Sequence, residues 1–248
     1  MAQAPTGKLR IITEIVLWVL GFAASYIVAQ YAVIAVAQLL LLAGASWEVQ
    51  GTVSLLVIRI AVYIVMALLL AGLMVLSVRR RTTLADFGLA RLVRWKDIGL
   101  SVAGMVVYVL CTMAVLYAAV TFFGLHAGQE QDLGISTRLF GGELMVAFLV
   151  LVVLTPLLEE VLFRGFLYGK LRTIERSVPW WVPAILVSAL FGVAHGQWNV
   201  GLDVFVLSMV ACGLREITGS IWSGVVLHMI KNMVAFMFTF VFITGIGG

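Results

Sequence analysis

The sequence predicts an all-α, polytopic transmembrane helical bundle, and two observations carry that prediction. Hydrophobic residues make up 63% of the 248 residues and charged residues only 11%, roughly half the charged fraction that is usual in soluble domains. Several apolar runs are longer than the roughly 20 residues that a helix needs to cross a bilayer. These runs are continuous rather than alternating, which favours membrane helices over a transmembrane barrel.

The apolar runs predict seven membrane spans. Their approximate limits are 11–42, 52–78, 98–123, 143–171, 181–195, 201–214 and 220–243. A hidden break in one of the longer runs would raise the count to eight. We expect the whole chain, 1–248, to form a single membrane domain, because no polar stretch between the runs is long enough to fold separately.

Basic residues occupy every second loop between the predicted spans. The basic set is Lys8, Arg10, Arg79, Arg80, Arg81, Arg91, Arg94, Lys96, Lys170, Arg172, Arg176 and Arg215, whereas the intervening loops hold Glu48, Glu130, Asp132 and Arg138. Such an alternation is typical of cytoplasmic loops that carry the positive charge. We therefore expect a multi-pass protein of the cytoplasmic membrane with a cytoplasmic N-terminus. The net charge of +4 follows from these loops, and we expect no nucleic-acid partner.

The segment Thr82–Lys96 mixes apolar and aromatic residues with arginines (TTLADFGLARLVRWK). This composition predicts an interfacial amphipathic helix on the cytoplasmic leaflet, with the apolar side chains directed into the membrane surface. The alternative is a solvated loop that happens to contain some apolar residues.

Three short fragments place ionisable or amide side chains inside apolar runs. They are Glu159–Arg164 (EEVLFR), Phe191–His195 (FGVAH) and His228–Asn232 (HMIKN). Such groups are costly in hydrocarbon, so an intramembrane cluster of them indicates a functional site. The combination of glutamate, two histidines and asparagine indicates hydrolytic chemistry below the membrane surface.

Helical spacing assigns the two glutamates different tasks. Residues four apart share one face of an α-helix, and Glu160 and Arg164 have this spacing. A buried arginine needs a counter-charge, so we predict that Arg164 pairs with Glu160. Glu159 is turned by about 100° from Glu160, which leaves it to face a cavity and to act as a general base.

The two histidine fragments have the same spacing. Phe191 and His195 are four residues apart, as are His228 and Asn232. Counted along α-helices from the predicted cytoplasmic ends, Glu159, His195 and His228 differ in depth by about one and a half turns. These side chains converge if the three spans that carry them are neighbours.

The three fragments resemble the motifs of the CAAX prenyl endopeptidase type II family, also called CPBP, which comprises CAAX proteases and bacteriocin-processing enzymes. The motifs of that family are E-E-x-x-x-R, F-x-x-x-H and H-x-x-x-N on successive membrane helices. All three are present here, in order and complete. The resemblance covers about 143–240, and the N-terminal part matches only as a generic set of membrane spans.

The resemblance implies an intramembrane endopeptidase of the glutamate type. It implies that Glu159, with His195, activates a water molecule, and that His228 and Asn232 stabilise the tetrahedral oxyanion as hydrogen-bond donors. Glu160 and Arg164 would hold the geometry of the helix. We expect no cofactor. The substrate is a membrane-associated peptide or protein, such as a prenylated C-terminus or a bacteriocin leader, and the sequence does not choose among these.

The same residues are compatible with three alternative hypotheses. An older view of the family, as metalloproteases, would make Glu159, His195 and His228 zinc ligands, although the sequence contains no H-E-x-x-H. A non-catalytic membrane scaffold or bacteriocin immunity protein would use the same fold without turnover. A transporter would use a buried Glu–His proton relay, but no inverted repeat is visible.

Some remaining residues in the spans receive structural predictions. Lys231 lies between His228 and Asn232 and needs an acid or a route to water. Asp203 is a candidate partner for it, and snorkelling to the membrane surface is the alternative. Gly192, Gly196 and Gly213 are expected to permit close helix packing, since small residues let helix backbones approach each other in membranes.

Overall fold

The computed structural model describes residues 6–44, 51–76, 83–125, 134–174 and 178–242, and in these ranges the chain is helical with no β-strand. The prediction of an all-α helical membrane protein is therefore confirmed. The helices, in chain order, are α1 (Thr6–Leu42), α2 (Thr52–Leu76), α3 (Trp95–Phe123), α4 (Gly141–Phe148), π1 (Leu149–Leu154), α5 (Thr155–Glu159), π2 (Glu160–Tyr168), α6 (Gly169–Ile174), α7 (Trp181–Val193), α8 (Trp198–Thr218), α9 (Trp222–Phe236) and π3 (Met237–Phe242).

Each of the seven predicted spans coincides with a continuous helical run in the described residues. Five of these runs are long and apolar enough to cross a membrane: Leu9–Leu42, Thr52–Val75, Trp95–Phe123, Gly141–Ile174 and Trp222–Phe242. The chain is thus a multi-pass membrane protein. Helix α7 has 13 residues, or about 20 Å at 1.5 Å per residue, less than the ~30 Å of hydrocarbon in a typical bilayer. Helix α8 contains three charged residues, Asp203, Arg215 and Glu216.

The helical run Gly141–Ile174 has two π-helical stretches within its α-helix. It contains the π-helices π1 and π2, in which each N–H bonds to the carbonyl five residues back instead of four. Pro156 follows π1 by two residues. Its ring has no N–H and clashes with the carbonyl of the residue four positions earlier, Val152, so the helix widens there instead of continuing as a regular α-helix. The 3.6-residue period assumed from sequence therefore does not hold where the E-E-x-x-x-R motif lies.

Contacts between Cα atoms divide the chain into two compact units, which interleave along the sequence. Unit 1 comprises residues 1–83, 134–159 and 235–248, and unit 2 comprises 84–133 and 160–234. The boundary between Glu159 and Glu160 falls inside one helical run. The single domain predicted from the sequence stays a prediction.

Unit 1 is built on the pairing of α1 with α2. Helix α2 also packs against α4, π1 and α5. Its core is apolar and includes the buried side chains Phe22, Leu56, Met66 and Leu70. The packing of α2 against α5 positions Glu159, the last residue of α5.

Unit 2 is organised around α8, which packs against α3, α7 and π2. The core cluster consists of Tyr108, Val206, Leu207, Leu214 and Leu227. Helices α7 and α8 meet at a pair of glycines, Gly192 and Gly201. A Cβ added to Gly192 would lie 2.7 Å from the Gly201 carbonyl oxygen, and one added to Gly201 would lie 3.0 Å from the Gly192 carbonyl oxygen. Backbone contact of this kind requires glycine on both helices, as predicted for Gly192.

The other two glycines singled out in the sequence have different settings. Gly196 has φ +73° with no atom within 4 Å of a built Cβ, so its contribution is the left-handed backbone just after α7 and not close packing. A Cβ at Gly213 would make ordinary contact, at 3.6 Å, with the Trp180 ring. The packing prediction is thus wrong for Gly196, and Gly213 lies against a side chain instead of a helix backbone.

The prediction of an amphipathic helix over Thr82–Lys96 is wrong for the described residues before α3, 83–94. The described part of this segment forms turns from Leu84 to Gly88 and irregular backbone to Arg94, and α3 begins at Trp95. Gly88 has φ +68°, a left-handed conformation that does not fit an α-helix. The composition of this segment suggested an amphipathic helix, but hydrogen bonds to a distant part of the chain determine its backbone conformation.

Those contacts come from the residues around the start of α9. The Gly88 carbonyl oxygen accepts hydrogen bonds from the Ile221 N–H at 3.2 Å and from the Ser220 hydroxyl at 3.1 Å. The Arg91 carbonyl oxygen accepts one from the Trp222 indole N–H at 2.7 Å. In a helix these carbonyls would bond to N–H groups four residues ahead, so the tertiary hydrogen bonds replace the helical ones.

Candidate functional site

The E-E-x-x-x-R motif forms a buried ion pair in π2. The Arg164 Nη1 atom lies 2.9 Å from Glu160 Oε1, and both side chains are fully buried. No guanidinium nitrogen of Arg164 has hydrogen-bond geometry toward any described residue, so the contact is ionic rather than a well-aligned hydrogen bond. A guanidinium this deeply buried depends on its counter-charge, because it has lost its hydration.

His228 contacts the same carboxylate oxygen. Its Nδ1 atom lies 3.2 Å from Glu160 Oε1, and the residue is 3% exposed. A carboxylate oxygen accepts, so Nδ1–H is the donor, and Nε2 carries the lone pair whenever the imidazole is neutral. The sequence predicted only Arg164 as a partner of Glu160, since the contact to α9 joins residues far apart in the chain.

Gly224 makes the approach of α9 to this carboxylate possible. A Cβ built on Gly224 would lie 2.9 Å from Glu160 Oε2 and 3.2 Å from the Ala211 Cβ. Gly224 lies one helical turn before His228. A residue with a side chain there would displace the carboxylate that His228 and Arg164 share. Sequence reasoning missed this glycine, although its four-residue spacing from His228 was a usable signal.

Phe191 is the centre of the arrangement in unit 2. Its ring is 1% exposed and packs edge-on against Phe163 at 4.8 Å, His195 at 4.8 Å and His228 at 6.0 Å between centroids. The Arg164 Cζ atom lies 4.5 Å from the centroid of the same ring, within cation–π distance. The Phe191 cluster, comprising Glu160, Phe163, Arg164, Phe191, His195 and His228, thus contains part of all three motifs.

His195 lies just beyond the helix that was predicted to hold it. Helix α7 ends at Val193, and His195 is half-buried in the turn that follows. Its Nδ1 atom lies 2.7 Å from the Phe191 carbonyl oxygen. A carbonyl only accepts, so Nδ1 carries the proton and Nε2 is the nitrogen that can accept a proton from water.

Glu159 belongs to unit 1. It is the last residue of α5 and is 6% exposed, and the Tyr63 hydroxyl on α2 donates a hydrogen bond to its Oε1 atom. Sequence reasoning missed Tyr63, because a tyrosine in an apolar span carries no motif and lies 96 residues away. Asn232 lies in unit 2, on α9, one turn after His228, and is half-buried.

The zinc alternative for Glu159, His195 and His228 stays a prediction. Among the described residues no group of three or more His, Cys, Asp or Glu side chains is placed to hold a metal ion. His228 Nδ1 is directed at Glu160, and His195 Nδ1 at a backbone carbonyl. Anchoring through Nδ1–H is typical both of proton-transfer histidines and of metal-ligating ones. The chemistry proposed below uses no metal, and chelation tests the zinc alternative.

A second, half-buried polar network lies beside the site in unit 2. The Lys231 Nζ atom on α9 lies 3.3 Å from Asp203 Oδ2 on α8, with side chains 16% and 21% exposed. The Tyr108 hydroxyl on α3 donates a hydrogen bond to Asp203 Oδ1. The candidate partner predicted for Lys231 is thus within ion-pair distance, and Asp203 joins three helices.

Comparisons with known proteins support the family resemblance for the C-terminal part of the chain. A family model described as type II CAAX prenyl endopeptidase Rce1-like matches residues 140–234. A protein of Escherichia coli described as an uncharacterized 24.3 kDa protein is 28% identical over 133 residues. That alignment covers 51% of this chain and 60% of the relative. No solved structure matches.

Replacing Arg164 tests the buried ion pair. Arg164→Ala leaves the Glu160 carboxylate buried without its counter-charge, and we expect a loss of roughly 3–5 kcal/mol in the free energy of unfolding. Arg172→Ala is the matched control, because the Arg172–Glu216 pair is 25% and 30% exposed and is expected to cost at most about 1 kcal/mol. Thermal unfolding in detergent measures both. An Arg164→Ala protein as stable as wild type but inactive would move Arg164 from a structural role to a catalytic one.

A double-mutant cycle tests the Lys231–Asp203 pair. Lys231→Met removes the cation that pairs with Asp203, and Asp203→Asn removes the charge that pairs with Lys231. Each substitution therefore removes the same ion pair. We expect their effects on the free energy of unfolding to be non-additive by about 0.5–3 kcal/mol. Strictly additive effects would mean that the two side chains do not stabilise each other.

Proposed function

We propose that this chain, whose residues 140–234 match the Rce1-like family, is an intramembrane endopeptidase. It hydrolyses a peptide bond in a membrane-associated peptide or protein, at the cytoplasmic side of the cytoplasmic membrane, with its N-terminus in the cytoplasm. The observation that carries the proposal is the Phe191 cluster, in which two histidines, one in the turn after α7 and one on α9, are each anchored through Nδ1. Anchoring of one ring nitrogen is what a proton-transfer site requires, because it sets the tautomer and aims the other nitrogen.

The first chemical step proposed is activation of water. Glu159 accepts one proton from the water, and His195, with its lone pair on Nε2, assists by accepting a hydrogen bond from the hydrogen that stays on the water oxygen. The water oxygen then bonds to the scissile carbonyl carbon. This assignment of Glu159 together with His195 rests on the family motif, whereas the orientation of the His195 ring rests on its hydrogen bond to Phe191.

The second step is collapse of the tetrahedral intermediate. Asn232 donates its amide N–H to the oxyanion, and such a donor stabilises charge that develops only in the transition state. His228 donates from Nε2 only when the ring holds both protons, because its Nδ1–H is directed at Glu160. The proton taken from water passes to the amine nitrogen as the C–N bond breaks, which restores Glu159.

Replacing the proposed base tests the function. Glu159→Gln keeps the size of the side chain and removes its ability to take a proton, so cleavage should fall by about 10²–10⁴-fold in a protein that still folds. Purified protein in detergent would be assayed with three fluorogenic peptides: a farnesylated C-terminal CAAX peptide, the same peptide without the lipid, and a leader peptide.

The control for that experiment is Glu143→Gln, since Glu143 is an exposed glutamate in the first turn of α4 on the same helical run. It should retain wild-type rates. Wild-type turnover by Glu159→Gln would sink the assignment of the base. Absence of cleavage of all three peptides by wild-type protein would favour a non-catalytic membrane protein with the same fold.

Metal removal separates two mechanisms for the same site. We expect activity to survive exhaustive dialysis against chelators, and elemental analysis to find no stoichiometric zinc in active protein. Loss of activity on chelation with recovery on adding Zn²⁺ would contradict the metal-free mechanism, because a zinc enzyme loses its Lewis acid with the ion. Zinc present in wild type and lost from His195→Ala would contradict it as well.

A further inference from the structure

Tyr63 lies outside residues 140–234 and hydrogen-bonds to a side chain of the E-E-x-x-x-R motif. It lies in the middle of α2, which packs directly against α5. Its hydroxyl donates to Glu159 Oε1. Within unit 1, then, a helix that the family match does not cover contacts the proposed base.

The contact matters because of where Glu159 lies. The residue is 6% exposed, so water can supply few of the hydrogen bonds that an ionised carboxylate accepts. The last torsion of a glutamate side chain is broad and two-fold, so burial alone leaves the direction of its two oxygens undefined. A phenol held by only two torsions can define that direction at low entropic cost.

We propose that Tyr63 is a positioning residue for Glu159. By donating to Oε1 it holds the carboxylate in one orientation, in which the carboxylate accepts the proton of the attacking water. Tyr26 on α1 also lies within electrostatic reach of Glu159, but the Tyr63 hydroxyl makes the direct bond. The inference rests on the proposed function for its catalytic meaning, whereas the hydrogen bond itself can be tested without any substrate.

Tyr63→Phe removes one oxygen atom and keeps the ring. We expect kcat to fall about ten- to a hundredfold, the range that corresponds to loss of one hydrogen bond to a charged group, with KM unchanged because Tyr63 acts on the base and not on the substrate. Tyr31→Phe is the matched control, since Tyr31 is 71% exposed on α1 and should behave as wild type.

A cycle with a shorter carboxylate distinguishes positioning from a general structural effect. In the Glu159→Asp background the carboxylate is one methylene farther from Tyr63. There Tyr63→Phe should cost less than about twofold in kcat, because the interaction it removes is already lost. An equal loss in both backgrounds would overturn the positioning role.

A measurement that needs no turnover tests the hydrogen bond. Dicyclohexylcarbodiimide modifies buried protonated carboxyl groups, and mass spectrometry reports the rate at Glu159. The ionised carboxylate does not react with this reagent, and the Tyr63 hydroxyl is a donor that stabilises the ionised form. Tyr63→Phe removes that donor, so labelling of Glu159 should be faster than in wild type and in Tyr31→Phe. Equal labelling rates would overturn the inference.

The two proposals fail in different ways. If wild-type protein cleaves peptides and Glu159→Gln does not, while Tyr63→Phe matches wild type in both kcat and labelling, only the role of Tyr63 is lost. If Glu159→Gln cleaves as well as wild type but Tyr63→Phe still accelerates labelling of Glu159, the hydrogen bond stands and the proposed catalysis does not.

Discussion

One buried carboxylate constrains much of the architecture of unit 2. Glu160 is fully buried in an apolar helical protein, and an ionised group taken out of water must be matched by charge and by donors. Arg164 supplies the charge from the next turn of π2, and His228 supplies a donor from α9. Gly224 is a glycine because the same carboxylate occupies the space that a side chain would need. The identity of three residues on two helices thus follows from one group.

The arginine adds a second requirement. Its guanidinium is as deeply buried as the carboxylate and pairs with it, and the negative face of the Phe191 ring, 4.5 Å away, adds a cation–π contact. Phe191 in turn packs against both histidines. The ring therefore links the charge balance of π2 to the two imidazoles, which explains why an apolar residue is part of a motif otherwise made of polar ones.

The two histidines are held by different acceptors, and this difference separates their chemistry. His195 is anchored by a backbone carbonyl and His228 by a carboxylate that is already paired with an arginine. A neutral imidazole anchored through Nδ1–H offers a lone pair at Nε2 and suits proton acceptance. Donation from His228 to an oxyanion would need the doubly protonated ring. Of the two donors proposed for that step, Asn232 is the one whose capacity does not depend on protonation.

The sequence by itself determined the helical class, the positions of the seven helical runs and the identity of the polar residues within them. The length and composition of an apolar run are local properties of the chain, and the thickness of the bilayer sets the length that a membrane helix needs. The sequence also indicated Glu160 with Arg164 and Lys231 with Asp203, since a buried charge has few available partners. Only the tertiary structure decided the rest. The π-helical winding around Pro156 is a helix geometry that hydrophobic periodicity does not encode. The irregular backbone at Gly88 depends on a hydrogen bond from a residue 132 positions away. The hydrogen bonds from His228 to Glu160 and from Tyr63 to Glu159 join residues 68 and 96 positions apart. A hydrogen bond acts over about 3 Å in space. The pattern of residues along one stretch of chain does not identify which distant backbone or side-chain group lies within that distance in the folded protein.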